Sequence, residues 1–151
     1  MRLEAPSGIQ YTLRSLISFT IPGKPKALKR HRVSKNGGMY DPSSKDKRDI
    51  WLQIAKFKPK QPLSGNILLS ISFTMPRPKN HFRTGRRSHV LKAKAPYDHI
   101  KRPDLDNLVK MVADVIQGKD RFIADDSMIC TLYAEKHYDR RPKTEVIIDL
   151  L

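Results

Sequence analysis

The sequence predicts a single α+β domain, built from a mixed or antiparallel sheet with two main helices. Three observations predict it. Runs of strand-forming residues open the chain, recur in its middle and close it. Two segments, around Ile50–Phe57 and Leu105–Ile116, repeat apolar residues at helical spacing. The 151 residues show no internal repeat and no second domain boundary, so 1–151 is read as one unit with one core.

Taken in order, residues 1–14 read as a loose lead-in. Leu16-Ile17-Ser18-Phe19-Thr20-Ile21 is rich in strand formers and stops at the turn signal Pro22-Gly23. A basic, irregular stretch follows over 23–35. Asn36-Gly37-Gly38 then suits a hairpin tip that needs positive φ. Asp41-Pro42 reads as an N-cap and first helical position, opening a helix over 42–57 that ends before Pro59. Its apolar side holds Ile50, Trp51, Ile54, Ala55 and Phe57. Asn66–Met75 is the next strand, with Ile67, Leu69, Ile71 and Phe73 on one face. Residues 76–102 carry nine Lys or Arg and one acid, Asp98, without periodicity, and read as a mobile basic arm or loop within the domain. Leu105, Leu108, Val109, Val112, Val115 and Ile116 make the stripe of the second helix, closed by Gly118. Two strand-like runs, Met128–Tyr138 and Glu145–Leu150, end the chain.

Charge narrows the partners. Thirty Lys and Arg against 15 Asp and Glu give a formal charge of +15, which draws polyanions to the surface. Nucleic acid leads, and a membrane surface is second but unsupported, because no run approaches the length of a span. A secretory-signal order is missing at the N-terminus, and the one cysteine, Cys130, makes no disulfide framework and no cysteine zinc cluster. A cytoplasmic setting is expected, associated with the nucleoid when DNA is bound.

The acids point to chemistry. On the second helix Asp106, Lys110 and Asp114 follow at i, i+4, i+8 opposite the apolar stripe, with Asn107 beside them and Asp104 at the N-terminal end. Caps and ordinary ion pairs account for them equally well. Asp125-Asp126 adds a second pair on the connection after the helix, and Asp126 approaches Asp104 and Asp106 if the return runs back along it. Gathered carboxylates repel unless a proton or cation joins them. Hard oxygen donors select magnesium or manganese, which polarise a phosphoryl group and activate water.

Arg102-Pro103-Asp104-Leu105-Asp106-Asn107-Leu108-Val109-Lys110, then Ala113-Asp114, then Ile123-Ala124-Asp125-Asp126, resembles the signature of the RusA family of Holliday junction resolvases. Lys136 falls where that family tends to have lysine, and Ile21-Pro22-Gly23-x-Pro25, the basics Arg30 and Arg32, and Tyr40-Asp41 are similar to its N-terminal region. The resemblance implies a homodimeric, Mg-dependent endonuclease that binds branched DNA and nicks four-way junctions in pairs. It implies Asp104, Asp106 and Asp126 as metal-binding catalytic acids and Lys110 as the catalytic lysine. Asp114 and Asp125 also match, without an assigned role.

Phosphate contacts are expected from Lys24, Lys29, Arg30 and Arg32 and from Arg83, Arg86 and Arg87 in the arm. His81, His89 and His99 lack metal-ligand spacing and are expected to be solvated or to touch phosphate. Trp51 is expected in the core, and Cys130 as a small buried residue rather than a nucleophile. Two rival functions remain: a non-catalytic basic nucleic-acid-binding protein, and a metal nuclease of other branched DNA such as flaps or forks.

Overall fold

The structure, a computed structural model, describes residues 2–4, 10–12 and 16–151, with side chains from residue 17 onward. Short strands β1 (Arg2–Glu4) and β2 (Gln10–Thr12) pair antiparallel where a loose lead-in is expected. Apart from a short hairpin of β4 (Arg32–Val33) and β5 (Met39–Tyr40), the main sheet is built from β3 (Leu16–Pro22), β6 (Ile67–Pro76), β7 (Ile129–Asp139) and β8 (Lys143–Leu150), in the order β3-β8-β6-β7. β8 runs antiparallel to both neighbours, and β6 pairs parallel with β7, so the sheet is mixed. A parallel pair needs a crossover, and α2 (Leu105–Ile116) lies on it.

Both helices cover one face of the sheet. Ile67, Leu69, Ile71 and Phe73 of β6 point into that layer, as their alternation predicts, and join Val146 and Ile148 of β8. α2 buries Leu108, Met111, Val112, Val115 and Ile116, adding Met111 to the expected stripe. α1 (Ser44–Ile54) contributes Ile50 and Ile54, and a 3₁₀ turn over Ala55–Phe57 continues it. The opposite face presents Ser18, Thr20, Ser70, Ser72 and Glu145 around an open hollow. Trp51 packs against the core through an edge-on contact with Phe122.

α1 starts later than expected. Asp41 does not cap it; its carboxylate accepts from the Ser43 N–H at 2.8 Å and closes a turn that leads to a helix beginning at Ser44. Cys130 is exposed rather than buried, because β7 is an edge strand; its Sγ donates to the Ile67 carbonyl at 3.5 Å.

The segment expected to be a mobile arm is packed. Two 3₁₀ turns (Lys79–His81 and Gly85–Arg87), a Phe82–Leu91 bridge and the Arg77 guanidinium on the Pro96 carbonyl at 2.7 Å fold it on itself. Asp98 bridges to His137, and the Tyr138 N–H donates to the Tyr97 carbonyl, docking it along β7. His81 and His99 are both buried against Tyr138, each with its ring centroid 4.7 Å from that of the tyrosine, so neither is solvated as expected. His89 is exposed.

Burial, reinforced by Arg77 beside His81 and Lys136 beside His99, holds both imidazoles below their ordinary 6.5. The unfolded chain therefore takes up protons from pH 6.5 downward while the fold resists them, so stability is lost as pH falls below 6.5. Thermal unfolding is expected at lower temperature near about pH 5.5 than near about pH 7.5, with a smaller difference in His99→Phe.

Candidate functional site

The site grows from the first turns of α2. With the apolar stripe turned to the sheet, Asp106 and Lys110 are left exposed, and Lys110 Nζ lies 3.2 Å from Asp106 Oδ2. Asp104 precedes the helix with extended dihedrals and its carboxylate makes no capping bond, so it is exposed and uncommitted to the helix end. The two acids, with Asn107 and Lys110, form one wall of an open recess of about 350 Å³. Leu28, Lys29, Arg30 and His31 form the other. Two contacts fix that wall: the Leu28 N–H donates to the Asn107 carbonyl at 2.9 Å, and the Lys29 N–H donates to Ser43 Oγ at 2.8 Å. A basic strip thus faces an acidic pair across a hollow wide enough for a phosphate and its waters.

Lys136 steadies the acid side from below. Its Nζ donates to the carbonyls of Lys101 at 2.5 Å and Pro103 at 2.7 Å, tying β7 to the residues just before Asp104. Its match to the family position was visible in the sequence, but its backbone contacts were not.

Asp126 does not join Asp104 and Asp106 within one chain. Its N–H donates to Gln117 Oε1 at 3.1 Å, at the C-terminal end of α2. The 12 residues of that helix span about 18 Å. Lys136 supplies a second ruler: it touches Pro103 at the helix start, and Asp126 lies ten residues earlier, mostly along an extended strand rising about 3.3 Å per residue. The return after α2 turns immediately, with the Gly118 N–H on the Ile123 carbonyl and Gly118 at φ +132°, and leads into β7. Among the described residues no three His, Cys, Asp or Glu side chains gather closely enough to hold one ion.

The two acids without an assigned role each make a contact outside the recess. Asp114 pairs with Lys47 at 2.9 Å, and Lys47 also reaches Asp41 at 2.7 Å, so one ammonium links α1, α2 and the end of the basic loop. Burial works against the Lys47 charge, but hydrogen bonds to both carboxylates outweigh it and raise its pKa; the same contact, then the Ser43 N–H, lowers that of Asp41. Nothing in the local sequence marks Lys47, since its partners lie 6 and 67 positions away. Asp125 accepts from the Ser127 N–H at 2.9 Å, and its pKa is lowered by that residue.

All seven expected phosphate-contacting residues, Lys24, Lys29, Arg30, Arg32, Arg83, Arg86 and Arg87, are exposed. Lys29 and Arg30 line the recess directly. No described helix is long and apolar enough to cross a membrane.

The chain is 29% identical over 135 residues to a crossover junction endodeoxyribonuclease rusA of Lactococcus phage r1t, covering 86% of this chain and 93% of that protein. Residues 22–149, which hold the basic loop, α2 and the acids, match the family described as Endodeoxyribonuclease RusA. A match over most of the chain, with an acidic pair facing a basic wall, shows that the protein belongs to the RusA family of endodeoxyribonucleases.

Proposed function

We propose that the protein is a metal-dependent endonuclease that resolves four-way DNA junctions by paired nicks. The recess carries this reading: Asp104 and Asp106 on one wall, Lys29 and Arg30 on the other. The phage relative named for crossover junctions supports the choice of substrate.

The donor set fits magnesium or manganese. Magnesium takes one or two carboxylates and fills its remaining positions with water and substrate phosphate. Asp104 and Asp106 are two hard oxygen donors, exposed and free of a cap bond, beside Asn107. A bound ion there supplies Lewis acidity toward the phosphoryl group and makes water more acidic. The chain's own residues do the rest. Lys29 and Arg30 hold the phosphodiester against the acids, Lys110 offsets negative charge that builds on it, and Lys136 keeps the 101–103 backbone in place beneath Asp104.

Paired nicks on opposing strands call for two sites related by a two-fold, which a homodimer provides. Leu52, Phe57 and Leu132 are exposed on α1, the turn after it and the β7 edge, and offer apolar surface for that contact. Asp126 takes part in a site with Asp104 and Asp106 only across such a dimer, where Asp126 of the partner subunit faces them.

The reading is tested on a panel of four-way junction, flap, fork and plain duplex with magnesium. Cleavage confined to the four-way junction is expected, and preferential cutting of flaps or forks moves the substrate to those. Binding should weaken with a log–log salt slope of about −0.9 per phosphate contacted. The Arg83→Ala, Arg86→Ala, Arg87→Ala triple variant should show a shallower slope, and an unchanged one would take residues 83–87 out of the interface.

A further inference from the structure

The hairpin of β4 (Arg32–Val33) and β5 (Met39–Tyr40) carries two of the most exposed apolar side chains in the described residues, Val33 at 68% and Met39 at 74%. Their register makes them direct cross-strand partners, so they lie together on one face, with Arg32 and Tyr40 paired on the other. The tip is closed tightly. The Ser34 N–H donates to the Gly38 carbonyl at 2.7 Å, the Gly37 N–H to the Ser34 carbonyl at 3.0 Å, and Gly37 takes φ +79°. The stem is anchored to both helices through Leu28 on Asn107, Lys29 on Ser43, and Asp41 on Lys47. His31, on the recess wall, is two residues from Val33. An apolar face is therefore held out into solvent, on a short braced support, next to the acids.

Residues 29–40 include Lys29, Arg30, Arg32 and Lys35 and no acid, so whatever meets this face is negatively charged around an apolar surface. A second copy of the hairpin would bring like charges together, and two side chains fall far short of the roughly 1,200 Å² a stable protein interface buries. DNA bases flanked by phosphates answer both demands. Apolar side chains inserted between base steps are an established way of holding DNA unstacked.

Resting on the junction reading above, we propose that the Val33–Met39 face inserts against unstacked bases at the branch point, setting which phosphate enters the recess. Ile100, 89% exposed and four residues before Asp104, lies near enough along the chain to flank the same bases.

The test uses a synthetic four-way junction with 2-aminopurine at the branch point, bound without divalent metal so that no cutting intervenes. Wild-type binding should raise the fluorescence as the base unstacks. Val33→Ser with Met39→Ser should remove most of that rise and weaken junction binding by about tenfold, the order expected for losing an apolar contact of roughly one side chain. Plain-duplex affinity should hold. Both positions are exposed, and Met39→Gln, which keeps length and removes only apolarity, should act in the same direction. An unchanged fluorescence rise with junction selectivity retained overturns the hairpin assignment alone. Wild-type binding no tighter on the junction than on duplex overturns the junction reading itself. Dissociation of the double variant into monomers in sedimentation gives the face to a subunit contact and overturns its role on DNA.

Discussion

Asp106→Asn is expected to cut four-way junctions at least about a hundredfold more slowly while binding them as well as the wild type or better. The amide keeps the side-chain shape but replaces a charged oxygen donor with a neutral one, weakening the hold on a divalent ion, and a hundredfold corresponds to about 2.7 kcal/mol of lost transition-state stabilisation. Binding survives because one negative charge beside the DNA phosphates is gone. The alternative, in which Asp106 and Lys110 are an ordinary i,i+4 pair, draws on the same 3.2 Å contact. It allows only about 0.2–0.5 kcal/mol of helix stability and no change in chemistry. Cleavage rates with far-ultraviolet circular dichroism on the same preparations separate the two. Cutting by Asp106→Asn at the wild-type rate would leave the basic binding protein as the better reading.

The second large effect concerns Asp126. Asp126→Asn alone should lose cleavage much as Asp106→Asn does. Refolding the two inactive variants together should restore it. In a mixed dimer one site combines both substitutions and the other combines neither, so random pairing returns about a quarter of the intact sites. A readout independent of activity is available in a Cys130→Ser background. Asp106→Cys in one copy and Asp126→Cys in the other should oxidise to a covalent dimer if the acids meet across the interface. Recovery of cleavage and the cross-link together place Asp126 in the partner's site. Absence of both, with mixed dimers present in sedimentation, would dissolve that arrangement, and full activity of Asp126→Asn would remove the residue from the chemistry.

The position of Asp126 is not encoded locally in the sequence. The periodicity of Leu105–Ile116 gave away the helix, and Gly118 its end, because those signals are local. The direction the chain takes afterwards depends on the Gly118–Ile123 contact and on β7 pairing with β6, which no local pattern encodes. The 76–102 segment is similar. Its residues lack periodicity, so it reads as an arm, yet Tyr138, 39 residues beyond His99, supplies the surface on which both buried histidines pack. Asp114 looked like a member of the acidic ridge until Lys47, from the other helix, claimed it. By contrast Asp106 and Lys110 share one side of the recess because i,i+4 helical spacing puts them there, and Asp104 stands just before the first turn. The strands β3 and β6 were equally legible, since their alternating apolar residues Phe19 and Ile21, and Ile67, Leu69, Ile71 and Phe73, enter the core.

Whether Asp104 and Asp106 hold a divalent ion for cutting a DNA junction is decided by a labelled four-way junction incubated with and without magnesium. Each strand is labelled in turn and the products are resolved at nucleotide level. Cuts are expected at matching positions on two opposing strands, present with magnesium, lost on chelation and lost in Asp106→Asn. Cutting that persists undiminished after chelation, or no cutting by a folded, junction-bound protein in magnesium or manganese, would contradict it.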